Sequence, residues 1–224
     1  GSEMCIRDRK QAAEYFRTAL DLGLNFFDHA DIYACGRSEE VFADLVRESG
    51  VSRDKLIIQS KCGIVPGKMY DFSKAHILNS VDGILKRLNT DYLDVLLLHR
   101  PDALMEPEEV AEAFDALEAA GKVRHFGVSN QNPGQMKLLQ RAMGPRPIVA
   151  NQLQLSITNC NMISNGFNVN MENDSALCRD GSVLDFCRLH DITIQPWSPF
   201  QYGFFEGVFL GSDKFPALNR VIDG

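Results

Sequence analysis

Tyr92–Arg100 reads Y-L-D-V-L-L-L-H-R. From Tyr92 to Leu98 it is a near-continuous apolar run. A strand buried on both faces reads this way, and such strands belong to parallel sheets covered by helices. The run stops at a histidine, His99, followed by Arg100-Pro101.

Upstream of this strand, Ser73 begins a helix that reaches about Leu88. Lys55–Ser60 (K-L-I-I-Q-S) reads as a strand ending at Lys61. Ser38–Glu48 is helical, with Ser38 expected as its N-cap. Leu24–Phe27 is a short strand ending at Asp28. The helix before it, Gln11–Leu22, places Ala12, Phe16, Ala19 and Leu20 on one face and is closed by Gly23. Downstream, helix Glu106–Ala119 is stopped by Gly121, strand Val123–Val128 ends at Ser129-Asn130, and Pro133–Ala142 is a helix. Pro147–Ala150 opens a strand ending at Asn151-Gln152, Ser182–Leu189 is a helix, and Ile192–Pro196 is a strand ending at Trp197-Ser198. Asp213–Val221 begins a further helix.

Six strands, each followed by a helix, imply an α/β fold with a parallel sheet. An open doubly wound dinucleotide fold would carry G-x-G-x-x-G after an early strand, and the chain has no such cluster. The alternative is a (β/α)8 barrel, whose working residues spread over the C-terminal ends of many strands. Asp28, Lys61, His99, Asn130, Gln152 and Trp197 each follow a different strand, so their side chains are expected to converge on one rim. Only Ser156–Asp180 breaks the rhythm. It is long, polar and rich in Asn, and is expected to be either a lid over that rim or a plain insertion.

The 224 residues suffice for one sizeable core. Lys and Arg number 23 against 30 Asp and Glu, a net charge of −7, which argues against a nucleic-acid partner. The six cysteines form no C-x-x-C pair and read as reduced, mostly buried thiols of a cytoplasmic protein. No pattern of metal ligands is evident. No apolar run approaches the roughly 20 residues of a membrane span, so no membrane partner is expected. Ser2–Arg9 (S-E-M-C-I-R-D-R) has neither helical nor strand periodicity. Residues 1–9 are therefore expected to be a foreign or disordered leader, and 10–224 the folded part.

Asn25–Tyr33 reads N-F-F-D-H-A-D-I-Y. With Ser60-Lys61, L-L-L-H-R-P at 96–101, F-G-V-S-N at 126–130, Asn151-Gln152 and P-W-S-P at 196–199, the ordered set resembles the aldo-keto reductase family, and within it a bacterial oxidoreductase subgroup. The resemblance implies NADP(H)-dependent reduction of an aldehyde or ketone to an alcohol. Tyr33 would be the general acid. A phenol titrates near 10, about three units above neutrality, and Lys61 beside it would favour the phenolate. Asp28 would hold Lys61, and His99 would bind the carbonyl oxygen. Alone, each has a structural reading: Asp28 a turn cap, Tyr33 half-buried packing, His99 a satisfied core histidine. Lys61 is harder to explain away, because a lysine at the end of a buried strand needs a partner or a job. The resemblance further implies that Ser129, Asn130 and Gln152 contact the nicotinamide carboxamide. Trp197 would stack on its ring, while Ser198 and the Pro199-Phe200-Gln201 loop follow the pyrophosphate.

The sequence departs from the family in three places. Ala34-Cys35 stands where a glycine is usual after the tyrosine, bringing Cys35 near the site as a structural thiol. The first and last barrel strands are not found, so the strands at 24–27 and 192–196 are expected to have open edges that invite aggregation. The 2′-phosphate site is expected beyond Gly224, so the preference for NADP(H) comes from the resemblance alone. Two other functions fit the same residues. One is a Schiff-base aldolase with Lys61 as nucleophile. The other is a redox-sensing cofactor-binding subunit, like those attached to potassium channels. The substrate and the oligomeric state are not legible.

Overall fold

The computed structural model describes residues 9–169, 171–172, 181–203 and 207–223. The helices are α1 (Arg9–Asp21), α2 (Arg37–Ser49), α3 (Lys74–Leu88), α4 (Pro107–Ala119), α5 (Pro133–Met143), α6 (Asn161–Ser164), α7 (Val183–Leu189) and α8 (Pro216–Asp223). The parallel strands are β1 (Phe26–Asp28), β2 (Ile57–Cys62), β5 (Leu93–Leu98), β6 (Val123–Ser129), β7 (Ile148–Gln154) and β8 (Thr193–Trp197). Two small antiparallel pairs complete the set: β3 (Ile64–Val65) with β4 (Met69–Tyr70), and β9 (Gln201–Gly203) with β10 (Gly207–Val208).

The chain divides into two compact units. One runs to Gln131 and takes in Gln135–Ala150; the other holds Asn132–Gly134 and the chain from Asn151 onward. In the first unit the ladder order is β1-β2-β5-β6 and then the opening residues of β7; in the second, the end of β7 neighbours β8. Each parallel strand lies beside its predecessor. A doubly wound sheet would reverse direction midway, so this consecutive order is the α/β barrel order expected from the sequence.

Register decides which residues share a face of the sheet in the first unit. Asp28 aligns with Gln59, Gln59 with Val95, Lys61 with Leu97, and Leu97 with Gly127. Side chains alternate along a strand, so Ser60, Leu96 and Phe126 lie on the opposite face. That face meets the helices: Phe126 stacks on Phe114 of α4 with centroids 4.1 Å apart. α3 buries Ile77, Val81, Ile84, Leu85 and Leu88, and α4 buries Val110, Ala113, Phe114 and Leu117, the spacing of single helical stripes. On the inner face Val95, Leu97 and Ala150 form an apolar cluster. Gly127 is required there, because a Cβ at that point would stand 2.7 Å from the carbonyl oxygen of Ala150.

The opposite end of these strands carries an ion-pair network. Asp94, 8% exposed, accepts from Arg53 at 2.8 Å, from Arg124 at 3.0 Å and from the backbone N–H of Ile58 at 2.9 Å. Both guanidinium groups lie 3.9 Å from the ring centroid of Tyr92. A carboxylate this buried is tolerable only with such partners.

Several boundaries differ from the sequence expectation. α1 already begins at Arg9, which pairs with Asp44 and Glu48 of α2; the rest of the expected leader, 1–8, lies outside the described residues. Ser38 is not the N-cap of α2. That place belongs to Gly36 at φ 86°, because Ala34 (φ 49°) and Cys35 (φ 56°) also turn left-handed and bring the chain into the helix early. β2 runs past Ser60 to Cys62, since ladder hydrogen bonds are indifferent to side-chain polarity. Of the irregular stretch 156–180, residues 170 and 173–180 lie outside the described residues. Its earlier part holds a Ser156–Asn159 bridge, α6 and a 3-10 turn at Asn165–Phe167. Cys62 and Cys187 are buried, but Cys35 is exposed. No helix among the described residues is long and apolar enough to cross a membrane.

Candidate active site

Asp28 is the last residue of β1, Lys61 the fifth residue of β2, and His99 the residue after β5. Parallel strands bring these three positions to one edge of the sheet. Tyr33 comes from the 3-10 turn Tyr33–Gly36 that links β1 to α2. The segment leading into the turn is docked on β2 by backbone hydrogen bonds: the N–H of His29 donates to the carbonyl of Gln59 at 2.9 Å, and that of Asp31 to the carbonyl of Lys61 at 3.1 Å.

Lys61 is wholly buried. Its Nζ donates to Asp28 Oδ2 at 2.8 Å, to the His29 carbonyl at 2.7 Å and to Tyr33 Oη at 3.2 Å. Three oxygens thus surround the amine nitrogen. The Tyr33 ring meets His99 edge-on, with centroids 5.7 Å apart and planes at 87°. The phenol, amine, carboxylate and imidazole expected to meet are therefore together, all within the first unit.

His99 is 9% exposed, and its Nδ1 has no hydrogen-bond partner among the described residues. Burial, then the Lys61 ammonium and the Arg100 guanidinium, push its pKa down to about 3. The imidazole is neutral at any working pH. It can offer an N–H to a substrate oxygen but not a positive charge.

Other residues escaped the sequence reading. Gln59, fully buried, donates from Nε2 to Asp28 Oδ1 at 2.7 Å. It stands two residues before Lys61, so the period of the strand puts it on the same face; that spacing could have revealed it. On the other face, Ser60 Oγ donates to the buried Glu39 at 2.7 Å, and Arg87 Nε donates to the other oxygen of Glu39 at 2.7 Å. A Cβ on Gly36 would lie 2.8 Å from Arg87 Cδ, so the Tyr33 turn is seated directly on this ion pair. Asp31 lies two residues before that turn, and its pKa is raised to about 7, by burial first and then by Glu39. His29 packs on Phe42 at 4.5 Å, and burial depresses it to about 4.

The residues expected to contact a nicotinamide fall in both units. In the first, Ser129 ends β6, 2% exposed, and Asn130 follows at φ 56°, its Nδ2 donating to Ser129 Oγ at 3.0 Å. In the second, Gln152 lies within β7 and donates to Gln195 Oε1 at 3.3 Å. Trp197 ends β8, half-buried, and Ser198 follows in a left-handed conformation at φ 53°. Phe200 is 54% exposed.

The chain is similar to known oxidoreductases. The chain is 38% identical to the oxidoreductase YcsN of Bacillus subtilis over 193 residues, 82% of this chain and 59% of the relative. It is 35% identical to a 6-dehydroglucose reductase of Agrobacterium fabrum, covering 90% of this chain and 65% of that protein. It thus spans less than two thirds of the length of these relatives. A crystal structure of an aldo/keto reductase from Klebsiella pneumoniae in complex with NADP and acetate superposes with a TM-score of 0.65 at 27% identity, over 88% of this chain and 60% of that one. The family model described as the aldo/keto reductase family matches residues 7–219, nearly the whole chain, and the chain belongs to that family.

Proposed function

We propose that the protein reduces an aldehyde or ketone to an alcohol with NADP(H), Tyr33 serving as general acid. The observation that carries this reading is the buried Lys61 ammonium, held 2.8 Å from Asp28 and 3.2 Å from the Tyr33 hydroxyl. A positive charge fixed at a phenol oxygen stabilises the negative charge that develops there as its proton leaves. Asp28 keeps the ammonium in place. Neutral His99, beside the Tyr33 ring, donates an N–H to the same carbonyl oxygen and orients it toward the phenol.

The polar groups at the strand ends fit a nicotinamide by their chemistry. The Ser129 hydroxyl and the Asn130 amide of the first unit can pair with a carboxamide. The second unit, taken by itself, carries groups of the same kind: the Gln152 amide, the flat Trp197 ring, and Ser198 and Phe200, which the family resemblance assigns to a phosphate loop. The NADP in the Klebsiella pneumoniae relative supports this assignment. The bound cofactor would supply hydride to the carbonyl carbon; the chain supplies the proton, the orientation and the fixed charge. The substrate is then a small carbonyl compound.

The test is Tyr33→Phe. With 4-nitrobenzaldehyde as probe, NADPH consumption should fall by about 10²–10⁴-fold. NADPH binding, followed by its fluorescence, should persist. Unchanged turnover would remove Tyr33 from this role.

A further inference from the structure

Asp28 has two carboxylate oxygens, and only one faces Lys61. Its side chain is 32% exposed, so water can compete for the carboxylate. An aspartate held by a single contact rotates readily about its terminal torsion, which is broad and roughly two-fold. Here the second oxygen is occupied. Gln59 Nε2 donates to Oδ1 at 2.7 Å while Lys61 Nζ donates to Oδ2 at 2.8 Å. Gln59 aligns with Asp28 in the parallel ladder and with Val95 on its other side. It is wholly buried, a costly place for an amide without a polar task. Ser60, between Gln59 and Lys61, faces away toward Glu39, so the amide and the ammonium project to the same side by strand alternation.

We propose that Gln59 is a positioning residue for the proposed reduction. It pins the Asp28 carboxylate in the rotamer that holds the Lys61 ammonium against Tyr33. The inference rests on the proton-transfer role proposed for Tyr33 and extends it to a residue that need not touch substrate or cofactor.

The test compares three variants with the parent chain, using NADPH and 4-nitrobenzaldehyde. Gln59→Met keeps the bulk and removes the donor. Its kcat should fall about 10–100-fold, the scale of one hydrogen bond to a charged group, with the dissociation constant for NADPH unchanged. Gln59→Glu adds a pH signature. When protonated, the introduced carboxyl can donate to Asp28; when ionised, it faces Asp28 with like charge and competes for Lys61. Around this point lie Asp28 from β1, Lys61 from β2, Tyr33 from its turn and His99 after β5. His99 stays neutral throughout the assay range, given a pKa of about 3. The ratio of Gln59→Glu to parent kcat should therefore decline as pH rises from 5 to 8, while the ratio for Gln59→Met stays flat. A cofactor-free crystal structure of Gln59→Met should show the Asp28 carboxylate rotated, its contact with Lys61 lengthened. Parent-like kcat in Gln59→Met, an unmoved carboxylate, or a flat Gln59→Glu ratio would overturn the proposal. If Gln59→Met fails to fold, the pH ratio of Gln59→Glu decides alone. Tyr33→Phe, run in parallel, separates the two ideas. Full activity there sinks the underlying reading, whereas lost activity there beside a fully active Gln59→Met sinks only the role of Gln59.

Discussion

The Nζ of Lys61 stands 3.2 Å from the Oη of Tyr33 and 4.8 Å from the centre of its ring. The amine therefore meets the phenol at its hydroxyl end while also lying over the ring as a cation–π contact. The two residues come from different parts of the fold. Lys61 is set by the ladder of β2, Tyr33 by a left-handed turn seated on Glu39 and Arg87. Their meeting depends on both.

This geometry makes Lys61→Met informative. The thioether fills much of the lysine's volume but carries no charge. Removing one preorganised donor from a site of developing charge typically costs about 10²–10³ in kcat. The same loss is expected here with 4-nitrobenzaldehyde, with little change in NADPH affinity. Asp28 loses a cation but is partly exposed and keeps Gln59, so the fold should survive; circular dichroism melting checks this. A variant that melts normally and turns over at the parent rate would show that the ammonium is not part of the chemistry.

The elements that set this site differ in how legible they are in sequence. Leu93–Leu98 announces itself, because a strand buried on both faces has little choice but to be apolar. The ends of β1, β2 and β5 follow from it, and with them Asp28, Lys61 and His99. What sequence hides is short or conformational. β3, β4, β9 and β10 have two or three residues each, too few to show a period. Ala34 and Cys35 adopt a conformation that their side chains disfavour, so no propensity announces it. Gln59 was readable by alternation, but an amide in an apolar strand has no unique meaning until its partner is known. The Glu39–Arg87 pair joins α2 to α3 across 48 positions, a distance no local pattern spans.

Gly63 allows a prediction about packing directly behind the site. It follows Lys61-Cys62 at φ +104°, and a Cβ there would lie 1.9 Å from Cε1 of Phe72, itself 4% exposed. Gly63→Ala must displace that ring and also adopt strained backbone. A loss of about 2–4 kcal/mol is expected from overpacking and backbone strain together. Gly67→Ala isolates the backbone term. It sits in the β3–β4 turn at φ +71° with open space around it, and should lose only about 1–2 kcal/mol. Urea unfolding of both variants measures the difference. Equal losses would mean that Phe72 gives way freely.

His29 carries a stability effect whose sign follows from its burial. Its ordinary pKa of 6.5 is pushed down to about 4, chiefly by desolvation, with Asp28 opposing and Lys61 adding. Below pH 6.5 the unfolded chain binds a proton that the folded chain refuses until about pH 4. Stability from this group is therefore complete above pH 6.5 and is lost as pH falls, by up to about 1.4 kcal/mol per pH unit. Asp31 works in the opposite direction. Its raised pKa of about 7 gives stability that is present below its unfolded value of 3.8 and is lost as pH rises toward 7. The acid limb of the parent chain thus mixes both effects. His29→Phe separates them, since Asp31 is common to both proteins. Neither ring nitrogen of His29 has a hydrogen-bond partner among the described residues, and the ring already packs on Phe42, so phenylalanine suits the space. Between pH 7 and pH 5, the unfolding free energy of His29→Phe should gain about 2 kcal/mol on the parent. Urea titrations at the two pH values test this. A difference that does not change with pH would show that His29 titrates normally in the folded chain, and that burial does not govern it.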